Sequence, residues 1–342
     1  MKLSIIIPVY NVEDYIEKCI LSLQNQDIPR NEYEIIVIND GSPDNSRAVI
    51  LQLIQQFDNI VFIDQENKGV SLARNAGIDK ASGRYLIFID PDDYVEPNTF
   101  SRILEVANEK RAQVAFLGFT FLLADNSVKK KILFAKESGK VYDGINAYKI
   151  SRGDGTIDPD RSVAILFETA FINKYQLRNL AAIPYLEDGE FLARVMCLAE
   201  RCIFDGNKFY LRTTRLGSAT NSGLFYTDRA IKGFIIAANN LFRFQQSTLI
   251  NAQQKQFLNQ PLCKFILLAI NSSFRNKGLL RRNNVVMELN NLGIKRCPIK
   301  SCNKYYWRDG FFFNLSPKIY SIYKPIWSLF DSLIFRLFKV HP

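Results

Sequence analysis

The chain has 342 residues, a formal net charge of +10, 47% hydrophobic and 13% aromatic residues; this composition excludes global disorder and leaves room for one large domain or two modest ones. Its single histidine, His341, stands next to the C-terminus, which excludes Ser-His-Asp and Cys-His mechanisms and leaves a carboxylate, lysine or tyrosine as general base. Six scattered cysteines form no C-x-x-C pair and no run reaches the ~18–20 apolar residues needed to span a bilayer, so the expectation is a cytosolic protein with reduced, buried thiols and no signal peptide.

The first ninety residues alternate strands and helices. Residues 3–7 are a continuous β-branched run suited to a sheet covered on both faces. Residues 12–26 place Tyr15, Ile16, Cys19, Ile20 and Leu23 at helical spacing. Strands are expected at 33–38, 60–64 and 85–89, and helices at 45–57 and 70–81. Ser42 or Asp44 is a candidate cap for the second helix, and Gly83 a candidate C′ stop for the third. This order implies a parallel, doubly wound sheet. Further on, 113–122 reads as a strand, 125–155 as polar loop, 187–199 as a helix opened by acidic residues and 202–213 as a strand. From about 227 to 292 the pattern is nearly all helical.

Basic charge is concentrated at the end. Residues 276–342 hold twelve Lys/Arg against Glu288, Asp309 and Asp331. Within 326–339 the polar residues Ser328, Asp331, Ser332, Arg336 and Lys339 share one narrow helical face, and Lys318, Tyr320, Tyr323 and Lys324 precede them. Such a helix fits an anionic membrane surface, and the alternatives are a helix docked on the protein's own core or an oligomer contact.

The strand ends carry the chemistry. Residues 85–93 read YLIFIDPDD, so Asp90, Asp92 and Asp93 crowd the carboxyl end of a strand, where open α/β sheets bind ligands. The cluster reads either as a site for a hard divalent cation or as an acidic turn bent by Pro91. The first strand ends in PVYN, Pro8 to Asn11, with neither G-x-G-x-x-G nor G-x-x-x-x-G-K-[ST]. That disfavours dinucleotide-binding and P-loop sites. Tyr10 could instead stack on a base, and Asp40, in NDGSPDNS, could accept a uracil N–H. Lys68, Arg74 and Asn75 surround the start of the third helix, a place that favours phosphates.

PVYN, NDGSPDNS, NKGVSLARNAG and FIDPDD, in that order and spacing, resemble the family 2 glycosyltransferases over roughly the first 215 residues. The resemblance implies a GT-A fold: a doubly wound, mainly parallel sheet, here with a mostly α-helical C-terminal extension. It divides the chain into a catalytic domain at 1–222, a helical region at 223–315 and a basic amphipathic tail at 316–342. It assigns Pro8, Tyr10, Asn11, Asp40, Lys68, Arg74 and Asp90 to the nucleotide-sugar, and Asp92 to a divalent metal, Mn²⁺ or Mg²⁺. Asn39-Asp40-Gly41-Ser42 departs mildly from the family's Asp-Asp-Gly-Ser. In PYLEDGEFLARV, Asp188 maps to the catalytic base; in YLRTTRLGSATNS, Arg212 or Arg215 maps to the diphosphate, with Ser218 beside it. The implied function is an inverting transfer from a UDP-sugar to a hydroxyl of a lipid-linked glycan. It would occur in cell-surface polysaccharide synthesis, on the cytoplasmic face of the inner membrane, with no nucleic-acid partner. The alternatives are a sugar-nucleotide nucleotidyltransferase, which would carry a Gly-rich basic loop after the first strand, and a non-catalytic nucleotide-sugar-binding protein.

Overall fold

The computed structural model describes residues 1–152, 160–181, 183–213, 223–276 and 278–338, with residues 328–338 described as backbone only. The chain divides into two compact units, Met1–Ser222 and Gly223–Pro342.

The first unit runs β1 (Leu3–Val9), α1 (Ile16–Gln24), β2 (Tyr33–Asp40), α2 (Ser46–Ile54), β3 (Ile60–Gln65), α3 (Val70–Lys80), β4 (Tyr85–Phe88), β5 (Tyr94–Val95), α4 (Phe100–Glu109), β6 (Val114–Leu122), β7 (Val128–Ile132), α5 (Gly144–Ser151), β8 (Ile165–Glu168), α6 (Thr169–Lys174), α7 (Glu187–Leu198) and β9 (Cys202–Arg212). The strands form one nine-stranded sheet in the order β3-β2-β1-β4-β8-β6-β9-β5, with β7 on β6. β3, β2, β1 and β4 are parallel, as the β-α alternation requires. β8 then runs antiparallel to both β4 and β6, while β6 and β9 are parallel. Every residue of β1 and β2 is buried, which explains the continuous apolar runs at residues 5–7 and 35–38 in place of alternation.

Two expectations change. Residues 125–155 are not simply loop: they contain β7, an exposed Lys-rich hairpin strand, and α5, capped by Asp143 accepting from the Asn146 N–H. Nor does Gly83 stop α3, which ends with Ala81 as its C-cap. Gly83 is there because the backbone of β1 passes so close. A Cβ at residue 83 would lie 2.6 Å from the Leu3 carbonyl carbon and the Ser4 nitrogen. The Gly83 N–H instead donates to Ser4 Oγ at 2.8 Å, and Ser4 and Ser82 both donate to buried Glu34.

The second unit is helical: α8 (Asp228–Gln246), α9 (Ala252–Phe257), α10 (Asn259–Arg275), α11 (Arg282–Asn291), α12 (Lys304–Leu315) and α13 (Pro317–Phe338). Thr227, Asn251 and Asn303 cap α8, α9 and α12 by accepting backbone N–H bonds. The start of α13 packs on α12. Asp309 is fully buried, accepts from Tyr320 Oη at 3.2 Å and forms an ion pair with Lys324; Tyr323 stacks on Phe312 with ring centroids 3.9 Å apart. Tyr320 and Lys324, expected among the membrane-facing flanks, therefore turn inward. Trp307, Phe311 and Leu315 of α12, and Ile319, Ile322 and Ile326 of α13, remain exposed. Among the described residues no helix is long and apolar enough to cross a membrane.

Candidate active site

The parallel register brings the carboxyl ends of β1, β2 and β4 to one rim. Pro8 pairs with Ile38 and Val9 with Asn39, so Tyr10 and Asp40 follow side by side. Tyr10 is 49% exposed at this rim. The loops after β1 and β2 are tied together: Asn11 N–H donates to Ser42 Oγ at 3.4 Å, Val12 N–H to Ser46 Oγ at 3.1 Å and Glu13 N–H to Asp44 at 2.8 Å. Asp44 also accepts from the Ser46 N–H at 3.1 Å, so it serves the start of α2 although Asn45 is the formal cap.

Asp40 is buried at the end of β2. Its carboxylate accepts from the N–H groups of Lys68 (2.9 Å) and Gly69 (2.8 Å) and from Gln65 Nε2 (2.7 Å). It thus shapes the loop that leads into α3, and the Lys68 side chain stays exposed at that loop. Gly41 and Gly69 adopt left-handed φ values of 66° and 89° in these two turns.

A buried charge cluster lies beside this rim. Arg74, on α3, directs Nη1 to Asp188 Oδ1 at 2.7 Å and to Glu187 Oε1 at 3.0 Å, and Nη2 to Asp90 Oδ1 at 3.2 Å. The expected phosphate-binding arginine is therefore the shared counter-ion of three carboxylates from β4's end and α7's first turn. Ser162 Oγ donates a further 2.7 Å hydrogen bond to Asp188 Oδ1. Both described hydrogen bonds to Asp188 fall on one oxygen, and Oδ2 is the oxygen through which it can take a proton. Burial, reinforced by the Asp188 charge and opposed by Arg74, pushes the Glu187 carboxyl up to about 7. Burial likewise raises Asp90, against the pull of Arg74.

One ligand oxygen from each of Asp90, Asp92 and Asp93 lies within 4.8 Å of the others. Asp93 is the structural member of the three. It is buried and accepts from Tyr210 Oη and from the Thr213 N–H, both at 2.7 Å. Thr213 Oγ1 donates to the Asp92 carbonyl at 2.6 Å, and the Asp90 N–H donates to Tyr210 Oη at 3.1 Å. Burial first, then the charges of Asp90 and Asp92, push Asp93 up to about 8. That mutual repulsion, in a set of hard oxygen donors, fits a divalent cation; Asp90 and Asp92, less buried than Asp93, are the donors placed to hold it.

Asn75 turns away from this centre, exchanging hydrogen bonds with the Asn179 backbone at 2.8 Å. Arg212 ends β9 with its guanidinium 5.5 Å from the Phe121 ring. Arg215 and Ser218 lie outside the described residues. Sequence reasoning missed Ser162, Tyr210 and Thr213. Each reaches its carboxylate across 26, 117 or 120 residues, and a lone hydroxyl residue carries no motif.

Residues 4–165 match the family described as Glycosyl transferase family 2. Glycosyltransferase GlyA of Streptococcus pneumoniae is 29% identical over 223 residues, covering 64% of this chain and 31% of that protein. The poly(ribitol-phosphate) beta-glucosyltransferase of Bacillus spizizenii is 38% identical over 116 residues, covering 33% of this chain and 18% of that protein. This chain therefore spans less than a third of the length of either relative. The crystal structure of S. aureus TarS 1-349 in complex with UDP-GlcNAc superposes with a TM-score of 0.64 at 20% identity, covering 85% of this chain and 80% of that one. Motif order, sheet topology and family match agree: residues 4–165 form a family 2 glycosyltransferase region, and the first unit carries the GT-A fold.

Proposed function

We propose that the protein is an inverting glycosyltransferase that moves a sugar from a UDP-sugar to a hydroxyl of a lipid-linked surface glycan. The observation that carries this reading is Asp188, held through one oxygen by Arg74 and Ser162 while the same Arg74 binds Asp90 of the acidic rim. A proton acceptor and a donor-side carboxylate are thereby set in one frame. Tyr10 stacks on the uracil, and Asp40 keeps the Lys68–Gly69 loop in place around the nucleotide. Asp92 with Asp90 would hold Mn²⁺ or Mg²⁺, which when bound supplies positive charge to the leaving diphosphate. The acceptor hydroxyl attacks the anomeric carbon, its proton passes to Asp188 Oδ2, and the bond from carbon to the diphosphate oxygen breaks on the opposite face. An α-linked donor then yields a β-linked product. The UDP-GlcNAc complex of the TarS fold and the β-glucosyl transfer named for the Bacillus relative support the donor and the stereochemistry.

The exposed apolar residues of α12 and α13, within the basic end of the chain, support attachment to an anionic membrane surface. The decisive experiment incubates the protein with a panel of nucleotide sugars and Mn²⁺ and identifies the released product. Nucleoside diphosphate is expected. Pyrophosphate release would identify a nucleotidyltransferase instead, and metal-independent UDP binding without turnover a binding protein.

A further inference from the structure

Among the described residues Arg161 has no counter-ion. Its Nη1 is shielded from solvent and has no hydrogen-bond partner among the described residues. Its neighbours in sequence are engaged elsewhere. Asp160 pairs with Arg152 at 3.0 Å and crowds the first turn of α7, where a Cβ on Gly189 would lie 2.2 Å from Asp160 Oδ2. Ser162 donates to Asp188. Residues 160 and 162 both meet the first turn of α7, whereas Arg161 reaches a different neighbour. There its guanidinium stacks on Phe119, 4.2 Å from the ring centroid. Phe119 in turn stacks on Tyr210 at 5.3 Å and 7°, and Tyr210 is the residue that binds Asp93 and the Asp90 N–H.

Arg161 is thus linked to the acidic rim through two stacked rings and to the proposed base through the adjoining Ser162. Burial lowers its guanidinium to about 10; Tyr210 opposes this, and the like charges of Arg212 and Arg152 add to it. An arginine stays protonated in proteins, so the lowering measures a desolvated charge that lacks an anion. A guanidinium held over an aromatic ring, with Nη1 unmet among the described residues, is shaped for the hydrogen bonds of a phosphate.

We propose that Arg161 is a phosphate-binding residue of the active site, taking an oxyanion of a substrate on the Phe119–Tyr210 side of the acidic rim. This rests on the glycosyl-transfer reading for the identity of the ligand. Two sources share the chemistry: the diphosphate of the donor, or a phosphate carried by the acceptor.

Titration calorimetry in Mg²⁺ with UDP, uridine and glycerol phosphate tests it on the full chain. Arg161→Gln removes the charge and keeps a planar polar group on a shorter side chain; Arg161→Lys keeps the charge. Loss of UDP affinity by about tenfold or more in Arg161→Gln, with uridine affinity unchanged and partial recovery in Arg161→Lys, assigns the donor diphosphate. The same loss for glycerol phosphate, with UDP unchanged, assigns an acceptor phosphate. Unaltered affinity for both phosphate compounds in Arg161→Gln overturns the proposal, as does a wild-type protein that binds neither. Arg161-dependent binding in a protein that turns over no nucleotide sugar would sink the transferase reading alone.

Discussion

Asp188 and Glu187 are adjacent carboxylates with different environments, and the difference decides what each can do. Asp188 takes two hydrogen bonds on Oδ1, from Arg74 and Ser162, and is the proposed base. Its replacement by Asn should lower kcat by about 10²–10⁴-fold while UDP affinity, measured by calorimetry, stays within a few-fold of wild type. Retained turnover would remove Asp188 from the mechanism. Glu187 is raised to about 7 mainly by burial. A carboxyl raised in the folded state adds stability below its ordinary range, and that contribution is lost as pH rises through its folded pKa. The stability difference between wild type and Glu187→Gln should therefore shift against wild type by about 1–3 kcal/mol between pH 4.5 and pH 7. Urea unfolding across that range checks the sign, and a flat difference would show that Glu187 is not burial-raised. Motif spacing made Asp90, Asp92 and Asp188 legible as a set. It could not show that one arginine binds Asp90 and Asp188 together, because Arg74 joins them across 16 and 114 residues.

At the scale of elements, continuous apolar runs and helical spacing revealed β1 through β4 and their helices within a few residues. The errors came where tertiary packing overrode a local rule. Gly83 looks like a helix stop and is in fact a close-approach site against β1. Gly83→Ala should destabilise the protein by about 1–3 kcal/mol through overpacking. Gly69→Ala should cost about 1–3 kcal/mol from its backbone alone, at φ 89° and ψ 158°, since nothing lies within 4 Å of the added Cβ. Denaturant midpoints of the two variants check both costs, and a neutral Gly83→Ala would contradict the packing account. In the second unit, buried Asp309 binds Arg308, Lys324 and Tyr320. Asp309→Ala leaves the half-buried Lys324 without its partner, at a cost of about 3–5 kcal/mol, and should make α13 the first site of limited proteolysis. Unchanged cleavage would show that Asp309 does not hold that helix.

Across the whole molecule the charge is divided: residues 276–342 carry twelve basic and three acidic groups, while the rest is nearly neutral. Vesicles containing anionic lipid should co-sediment the full chain, and zwitterionic vesicles should not. About 0.5 M salt should release it, because screening collapses the attraction between surface charges. Removal of residues 316–342 should weaken binding, and a truncated protein that binds equally well would end the membrane proposal. Local patterns in the sequence determined the parallel half of the sheet and the order of its strand-end motifs, because those features depend on residues close in the chain. Only the tertiary structure decided the antiparallel insertion of β8, the sharing of Arg74 among three carboxylates, the bracing of Asp93 by Tyr210 and Thr213, and the unpaired charge of Arg161. Each of these depends on what a side chain meets in three dimensions, and chain spacing carries no record of a partner more than a hundred residues away.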